Sequence, residues 1–162
     1  MAKYMSDKIR MRSSARLAAV QACYMLDYGD LNVDEVVKSF VNGEVGRELI
    51  VENVITSDEE LVAVSEMDVS YFSSLVVGVQ SKKEDMEKSL AKFLNEKWSY
   101  ERMDGTLRAL LLCAVYEIIN TLDVDVKVII QEYVDLAYAF FTKSEPKMVN
   151  ALLDQIAHEV RG

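Results

Sequence analysis

Apolar residues recur every three or four positions along most of the chain, the spacing that places side chains on one face of an α-helix. The first such stripe runs from Leu17 to Tyr24. Ser13 or Ser14, just before it, can cap the N-terminal end of a helix. The pattern therefore predicts a first helix that begins at Ser13 or Ser14 and ends at Gly29.

Further stripes follow, and most of them come after a residue type that caps helices. The predicted caps are Asp34, Asp68, Asp104 and Ser144, with Ser57 and Glu60 as a capping box ahead of another short helix. The helix after Asp68 is expected to break near Ser81. The helix after Asp104, GTLRALLLCAVYEII, is apolar on nearly all sides and is expected to be the most deeply buried. A further helix follows the connecting segment TLDVDVKV.

Each apolar stripe needs a partner surface, so the helices must pack on one another. One proline and six glycines among 162 residues also favour long helices over short strands joined by tight turns. We therefore predict an all-α bundle of about seven helices in a single domain spanning residues 1–162. Residues 1–12 are expected to form a basic, flexible arm ahead of it.

The basic residues are unevenly distributed along an acidic chain. Residues 1–24 carry a net charge of +4, and the other 138 residues carry −13. Cations at the start of a helix oppose its dipole, so Arg10, Arg12 and Arg16 are expected to serve a phosphate-bearing partner rather than the helix. Tyr24 would offer a ring for base stacking. The alternative is a solvated tail that only keeps the N-terminus soluble.

Residue types that support catalysis or metal binding are scarce. The chain has one histidine, His158, and two cysteines, Cys23 and Cys113, which are expected to be reduced core thiols. It lacks a glycine-rich phosphate loop. We therefore expect a protein that is not an enzyme and holds neither a metal nor a cofactor. Because the sequence shows neither a signal peptide nor an apolar run of about 18 residues, we expect a cytoplasmic protein that does not enter the membrane.

Four segments share a pattern with one known protein family. They are ARLAAVQACYML at residues 15–26, VSYFSSLVVGV at 69–79, RALLLCAVYEII at 108–119 and DVKVIIQEYVDLAYAFFTKSEPKMVNALLDQIA at 125–157. In this order they resemble the NusB family of bacterial transcription antitermination factors. That family has an arginine-rich start before A-R-x-x-A-x-Q-A-L-Y and ends on K-F-V-N-G-V-L-D-K-I-A.

The resemblance implies an all-α fold of two helical sub-bundles and a non-catalytic RNA-binding role. NusB-like proteins pair with NusE, a ribosomal small-subunit protein, and bind the boxA element of ribosomal RNA transcripts, which keeps RNA polymerase elongating. By resemblance, the RNA-binding residues are Arg10, Arg12, Arg16, Tyr24, Lys147 and Asn150. The alternatives are a core-edge tyrosine at Tyr24, a solvated lysine at Lys147 and a loop contact at Asn150.

The resemblance also places Leu107, Arg108 and Leu112 near the side that faces NusE. Leu107 and Leu112 stand where the family often has Glu and Arg, so apolar contacts would replace polar ones there. Two arginines of the family's basic start are serines here, SS at positions 13 and 14, and the aromatic residue of K-F-V-N is Met148. We therefore expect weaker RNA binding by the protein alone and more reliance on NusE.

Two other functions agree with the same residues. One is a protein-interaction module that never contacts RNA, since the −13 body suits basic partners. The other is the RNA-binding domain type that precedes the catalytic domain of some ribosomal RNA cytosine methyltransferases. The sequence leaves open whether the protein is a monomer or a homodimer, and it assigns no role to the segment 43–67.

Overall fold

The computed structural model describes residues 2–42, 67–142 and 144–162, with side chains from Asp7 onward. These residues form helices. The helices are α1 (Ala2–Tyr28), α2 (Val33–Val41), α3 (Val69–Phe93), α4 (Gly105–Asn120), α5 (Val126–Phe140) and α6 (Glu145–Arg161). Within the described ranges all regular structure is helical, so the predicted all-α class is confirmed. The predicted short helix after Ser57 lies outside the described residues, as does nearly all of segment 43–67.

The chain divides into two compact units, Met1–Val77 and Gly78–Gly162. The first contains α1, α2 and the first turns of α3. Here α1 packs on α2, and Phe40 of α2 stacks on Phe72 of α3 with ring centroids 5.4 Å apart. The second contains the rest of α3 and the mutually packed helices α4, α5 and α6. Each unit therefore has apolar packing of its own.

Helix α1 begins at Ala2, so the predicted start at Ser13 or Ser14 is wrong. Residues 2–12, expected to be an arm ahead of the helix, form its first turns. They include Lys, Met and Arg, which are strong helix formers, and neither Gly nor Pro interrupts them. Ser14, predicted as a cap, is instead a helix-interior residue that is 7% exposed. Tertiary packing at Ser14 outweighed its local capping preference.

Two other boundaries differ from the sequence-based prediction. Helix α2 is capped by Asn32, whose side chain accepts a hydrogen bond from the Asp34 backbone N–H at 2.8 Å, so Asp34 belongs to the first turn. Helix α3 continues through Ser81 without the expected break. The Ser81 hydroxyl donates to the Gly78 carbonyl at 3.0 Å, which satisfies the side chain inside the helix.

The cap predicted at Asp104 is confirmed, whereas the helix after it starts at Val126, inside the segment predicted to be a connection. Asp104 accepts a hydrogen bond from the Thr106 N–H, and Asp125 accepts one from the Lys127 N–H, both at 2.8 Å. Among the helices that the structure describes, α4 is the most deeply buried, as predicted. Its buried residues include Leu107, Leu110, Leu111, Ala114, Val115 and Ile118. Cys23 and Cys113 are both buried, as expected for core cysteines.

Candidate nucleic-acid interface

Two arginines of α1 contact one tyrosine of α3. Arg12 and Arg16 lie four positions apart, so they share a face of the helix. Their guanidinium carbons stand 4.7 and 5.2 Å from the centre of the Tyr71 ring. Arg16 Nη2 also donates a hydrogen bond to the Tyr71 hydroxyl at 3.1 Å. The three side chains form a cation–π cluster, which we call the Tyr71 cluster.

Asp68 attaches the start of α3 to α1 beside this cluster. Its side-chain Oδ1 accepts from the Tyr71 N–H at 3.0 Å, which confirms Asp68 as the predicted cap. Its backbone N–H donates to the Met11 carbonyl of α1 at 3.0 Å. Its Oδ2 lies 3.8 Å from Arg12 Nε. One residue therefore caps α3, joins it to α1 and balances part of the arginine charge.

Burial divides the predicted RNA-binding arginines into two kinds. Arg16 is only 2% exposed, so its guanidinium belongs to the interior of the unit. The side chain of Arg12 is 30% exposed and that of Arg10 is 56% exposed. Arg10 forms an ion pair with Asp7, one turn earlier on α1. Arg10 and Arg12 are thus the arginines of this set that present charge to solvent.

The arginines of α1 differ in two respects from the expectation that they serve a partner rather than the helix. Because α1 begins at Ala2, Arg10 lies more than two turns inside the helix, away from the free N–H groups of its N-terminus. Arg12 and Arg16 also contribute to the fold, since they bind Tyr71. The contact between Arg16 and Tyr71 joins residues 55 positions apart, so helix spacing along the chain provides no signal for it.

An aromatic pair lies on α1 beyond the arginines. Tyr24 is 37% exposed, and Tyr28, one turn further, is 59% exposed. Their ring centroids are 4.8 Å apart with an angle of 43° between the planes. The predicted stacking residue Tyr24 is therefore accessible and has a second exposed ring beside it. Tyr28 could have been found from the sequence, because it stands four positions after Tyr24 and therefore lies beside it on the helix.

The other predicted RNA-binding residues belong to the second unit. Lys147 and Asn150 lie in the first turns of α6, and both are exposed. Met148, between them, is partly buried and lines a cavity. Ser144 is the N-cap residue of the helix, so the predicted position is confirmed, but its side chain forms no capping hydrogen bond. Lys147 and Asn150 are therefore available to a ligand, separately from the arginines of the first unit.

The residues predicted to face NusE differ sharply in exposure. Leu107 and Leu112 are 2% and 3% exposed, so neither offers an apolar contact surface to a partner. The physical reason is that α4 is apolar on nearly every side and packs on both α5 and α6. Arg108 is partly exposed, and its guanidinium lies 5.6 Å from the centre of the Tyr100 ring. Of the three, Arg108 retains polar surface.

The part of the chain that the structure describes contains no cluster of three His, Cys, Asp or Glu side chains that could hold a metal. Its helices are all too short or too polar to span a membrane. The features that stand out are the Tyr71 cluster, the Tyr24–Tyr28 pair and the exposed polar start of α6. Together they describe an all-α protein with exposed basic, aromatic and polar side chains.

The comparisons with known proteins assign a family. The sequence profile of the NusB family matches residues 13–158, so the chain belongs to the NusB family. The chain is 41% identical over 155 residues to the transcription antitermination protein NusB of Sinorhizobium medicae, covering 96% of this chain and 91% of that protein. It is 42% identical over 151 residues to the same-named protein of Rhizobium rhizogenes, covering 93% and 88%.

A solved structure agrees with the fold. The structure of T. maritima NusB superimposes with a TM-score of 0.63 over 91% of each chain, at 24% sequence identity. The sequence-based assignment to the NusB family is confirmed. The relatives are named as transcription antitermination proteins, a non-enzymatic family, so the prediction of a protein that is not an enzyme is also confirmed.

Proposed function

We propose that this chain acts in transcription antitermination as an RNA-binding adaptor that pairs with NusE and binds boxA-type RNA. Identity of 41% to a NusB protein over 96% of the chain is the observation that carries the proposal. The adaptor would act on the RNA polymerase elongation complex indirectly, through the RNA and NusE. Its place of action would be the bacterial cytoplasm, where transcription occurs.

The exposed cations of α1 take the phosphate-binding role. Arg10 and Arg12 neutralise phosphates of the RNA backbone, and such contacts supply most sequence-independent affinity. Arg16 has a positioning role, because its hydrogen bond to the Tyr71 hydroxyl orients the ring against which Arg12 lies. Lys8, exposed one turn before Arg12, adds a further charge. Because Arg16 is buried, few cations of α1 are left to bind phosphates, which supports weak binding of RNA by the protein alone.

The uncharged contacts supply stacking and hydrogen bonds. Tyr24 is exposed enough to stack on an unpaired base. In the second unit, Lys147 contacts a phosphate and Asn150 hydrogen-bonds a base or sugar. Arg108 is the proposed polar contact to NusE, since Leu107 and Leu112 are buried. The monomer–homodimer question is independent of these roles, and sedimentation across a concentration range answers it.

The test is a fluorescence-anisotropy titration of boxA RNA with the full chain, with and without NusE, over a range of salt concentrations. We expect tighter binding in the presence of NusE and a linear decrease of log K with log salt in both cases. Replacing Arg12 by Gln should weaken binding and reduce the salt slope by about 0.7 for each phosphate that is no longer neutralised. The matched control is Arg102→Gln, which removes one charge from an exposed arginine of the second unit.

A specific observation favours the second candidate, a protein-interaction module that does not bind RNA. Arg16 is buried and two family arginines are serines here, so the exposed basic surface of α1 is small. In that case the NusE complex would form normally, yet boxA RNA would bind no better than a scrambled RNA of equal length. Equal affinities and equal salt slopes for wild type and Arg12→Gln would contradict the RNA-binding role.

A further inference from the structure

A groove runs along the outer side of α6 in the second unit. At one end is an apolar cavity of about 220 Å³, whose lining includes Phe93, Trp98, Met148 and Leu152. A wider cavity of about 910 Å³ continues along the helix to His158 and Glu159. Phe93, Ala151 and Gln155 line both cavities, so the two form one continuous depression. The antitermination role proposed above assigns no part to any residue that lines this groove.

Charge is distributed unevenly along the groove. The wide end is lined by the carboxylates of Asp154 and Glu159, both exposed. At the apolar end the Lys97 ammonium lies 5.9 Å from the centre of the Trp98 ring. Two carboxylates beside an apolar cavity repel phosphate and attract cations. The groove therefore suits a basic peptide segment and does not suit the RNA backbone.

We propose that this groove docks a helical segment of a partner protein that carries one bulky apolar residue and a lysine or arginine one turn away. The apolar side chain fills the cavity beside Trp98 and Leu152. The cation then reaches the carboxylates, because Ala151, which lines both cavities, precedes Asp154 and Glu159 by three and eight positions, roughly 5 and 12 Å along the helix axis. A ligand residue four positions from the anchor lies about 6 Å away, between these limits.

This mode of binding is the common one in which an amphipathic helix lays its apolar face into a groove. The net charge of −13 on residues 25–162 adds long-range attraction for a basic partner. The occupant is thus a basic segment of a protein rather than a nucleic acid. The proposal does not depend on the antitermination role, since it concerns different residues and a different class of ligand.

Two residues that line the groove have spectroscopic signals that can report the binding of a peptide. Trp98 is the only tryptophan of the chain and His158 its only histidine, and they lie toward opposite ends. The probe is a synthetic amphipathic peptide of ~12 residues, about three helical turns, in which each lysine stands four positions after a leucine. The matched peptide carries glutamate in place of each lysine. We expect only the lysine peptide to shift both the Trp98 emission and the His158 ring resonances.

Matched variants distinguish docking in the groove from general charge attraction. Asp154→Asn with Glu159→Gln should weaken the binding of the lysine peptide roughly three- to tenfold, since two exposed ion pairs can no longer form. Glu84→Gln with Asp85→Asn, which removes two exposed carboxylates of α3, should leave its affinity unchanged. Ala151→Arg should block the groove, whereas Ala139→Arg, at an exposed alanine of α5, should not.

Circular dichroism of each variant establishes that it is folded. Equal binding of the lysine and glutamate peptides, or equal weakening by both pairs of carboxylate substitutions, would overturn the proposal. So would a single-stranded RNA that shifts Trp98 and His158 while the lysine peptide does not. RNA affinity measured with the same variants reports separately on the antitermination role, because none of them removes a residue assigned to RNA.

Discussion

Each unit of the molecule contains a tyrosine whose hydroxyl is hydrogen-bonded to an ionisable side chain. The partner is an arginine in the first unit and a glutamate in the second. In the first unit the Tyr71 hydroxyl accepts from the Arg16 guanidinium at 3.1 Å. In the second unit the Tyr133 hydroxyl donates to Glu117 Oε1 at 2.8 Å. Arg16 is 2% exposed and Glu117 is fully buried. Both pairs therefore place a polar group in the interior with a hydrogen-bond partner.

The difference lies in what surrounds each pair. The Tyr71 cluster extends to Arg12 and Asp68, whose side chains are 30% and 28% exposed, so it opens onto the surface. The Glu117–Tyr133 pair joins α4 to α5, and both residues are 0% exposed. A cluster that reaches solvent can position charge for a ligand, whereas a closed pair can only stabilise the fold. The substitutions below test this distinction.

A substitution in the closed Glu117–Tyr133 pair should lower the free energy of unfolding the most. Tyr133→Phe removes one hydrogen bond to a buried carboxyl group and should lower the free energy of unfolding by about 2 kcal/mol. Urea denaturation measures this decrease. Because Tyr133 is fully buried, the boxA RNA affinity of the folded variant should equal that of wild type. An RNA affinity that falls together with stability would mean that the second unit is not merely a scaffold.

Replacing Arg161 should have the next largest effect on the free energy of unfolding. Its guanidinium donates to the carbonyls of Ile118, Val124 and Thr121 at 2.8–2.9 Å, around the C-terminal end of α4. A cation there satisfies carbonyls that the helix leaves open and complements its dipole.

Arg161→Ala should therefore lower the free energy of unfolding by about 1.5 kcal/mol. Arg161→Lys should recover only part of this stability, since lysine lacks the planar fork of donors. Thermal unfolding of the two variants gives the comparison. Full recovery by lysine would assign the effect to charge alone.

The open cluster should affect stability and RNA binding together. Tyr71→Phe keeps the ring under both guanidinium groups but removes the hydrogen bond from Arg16, which we expect to lower the free energy of unfolding by about 1 kcal/mol. The affinity for boxA RNA should fall as well, because Arg12 is positioned against the same ring. Tyr71→Leu, which also removes the cation–π contacts, should weaken RNA binding further. Unchanged affinity in both variants would show that the cluster is as purely structural as the Glu117–Tyr133 pair.

The smallest stability effect is expected at the exposed end of α1. Arg10→Gln breaks only a surface ion pair with Asp7 and should change the free energy of unfolding by less than about 0.5 kcal/mol. RNA affinity should nevertheless fall, most clearly at low salt where phosphate contacts count most. Lys92→Gln, at an exposed lysine of α3, provides the matched change of charge. If both substitutions lower RNA affinity equally, net charge rather than the position of Arg10 is responsible.

Much of the fold could be predicted because helix periodicity is a local property. The stripe of α4 identified Leu110 and Leu111 as core residues, and Asp104 was recognised as its cap from residue type and position alone. The start of α1 could not be found in this way. Ser13 and Ser14 have the side chains of caps, but packing made them interior residues of a longer helix, and such packing involves residues distant in the sequence.

The candidate site was predicted in part for the same reason. The cluster of cations on residues 8–16 is visible in the sequence, and so is the spacing that puts Arg12 and Arg16 on one face. Their difference in exposure is not visible, since it depends on Tyr71, which lies 55 positions from Arg16. For Leu107 and Leu112 the error is the opposite one. The comparison with the family placed them on a partner-facing surface, but the packing of α4 buries both.

The amino-acid sequence by itself determined the all-α class, most helix faces, the NusB family and the basic character of α1. These follow from short-range periodicity and from a residue pattern shared along almost the whole chain. Only the tertiary structure decided which arginine is buried and which is exposed, and which tyrosine joins them. The physical reason is that burial and hydrogen bonding are set by whichever distant residues the folded chain brings together, here Tyr71 against Arg16 and Tyr133 against Glu117.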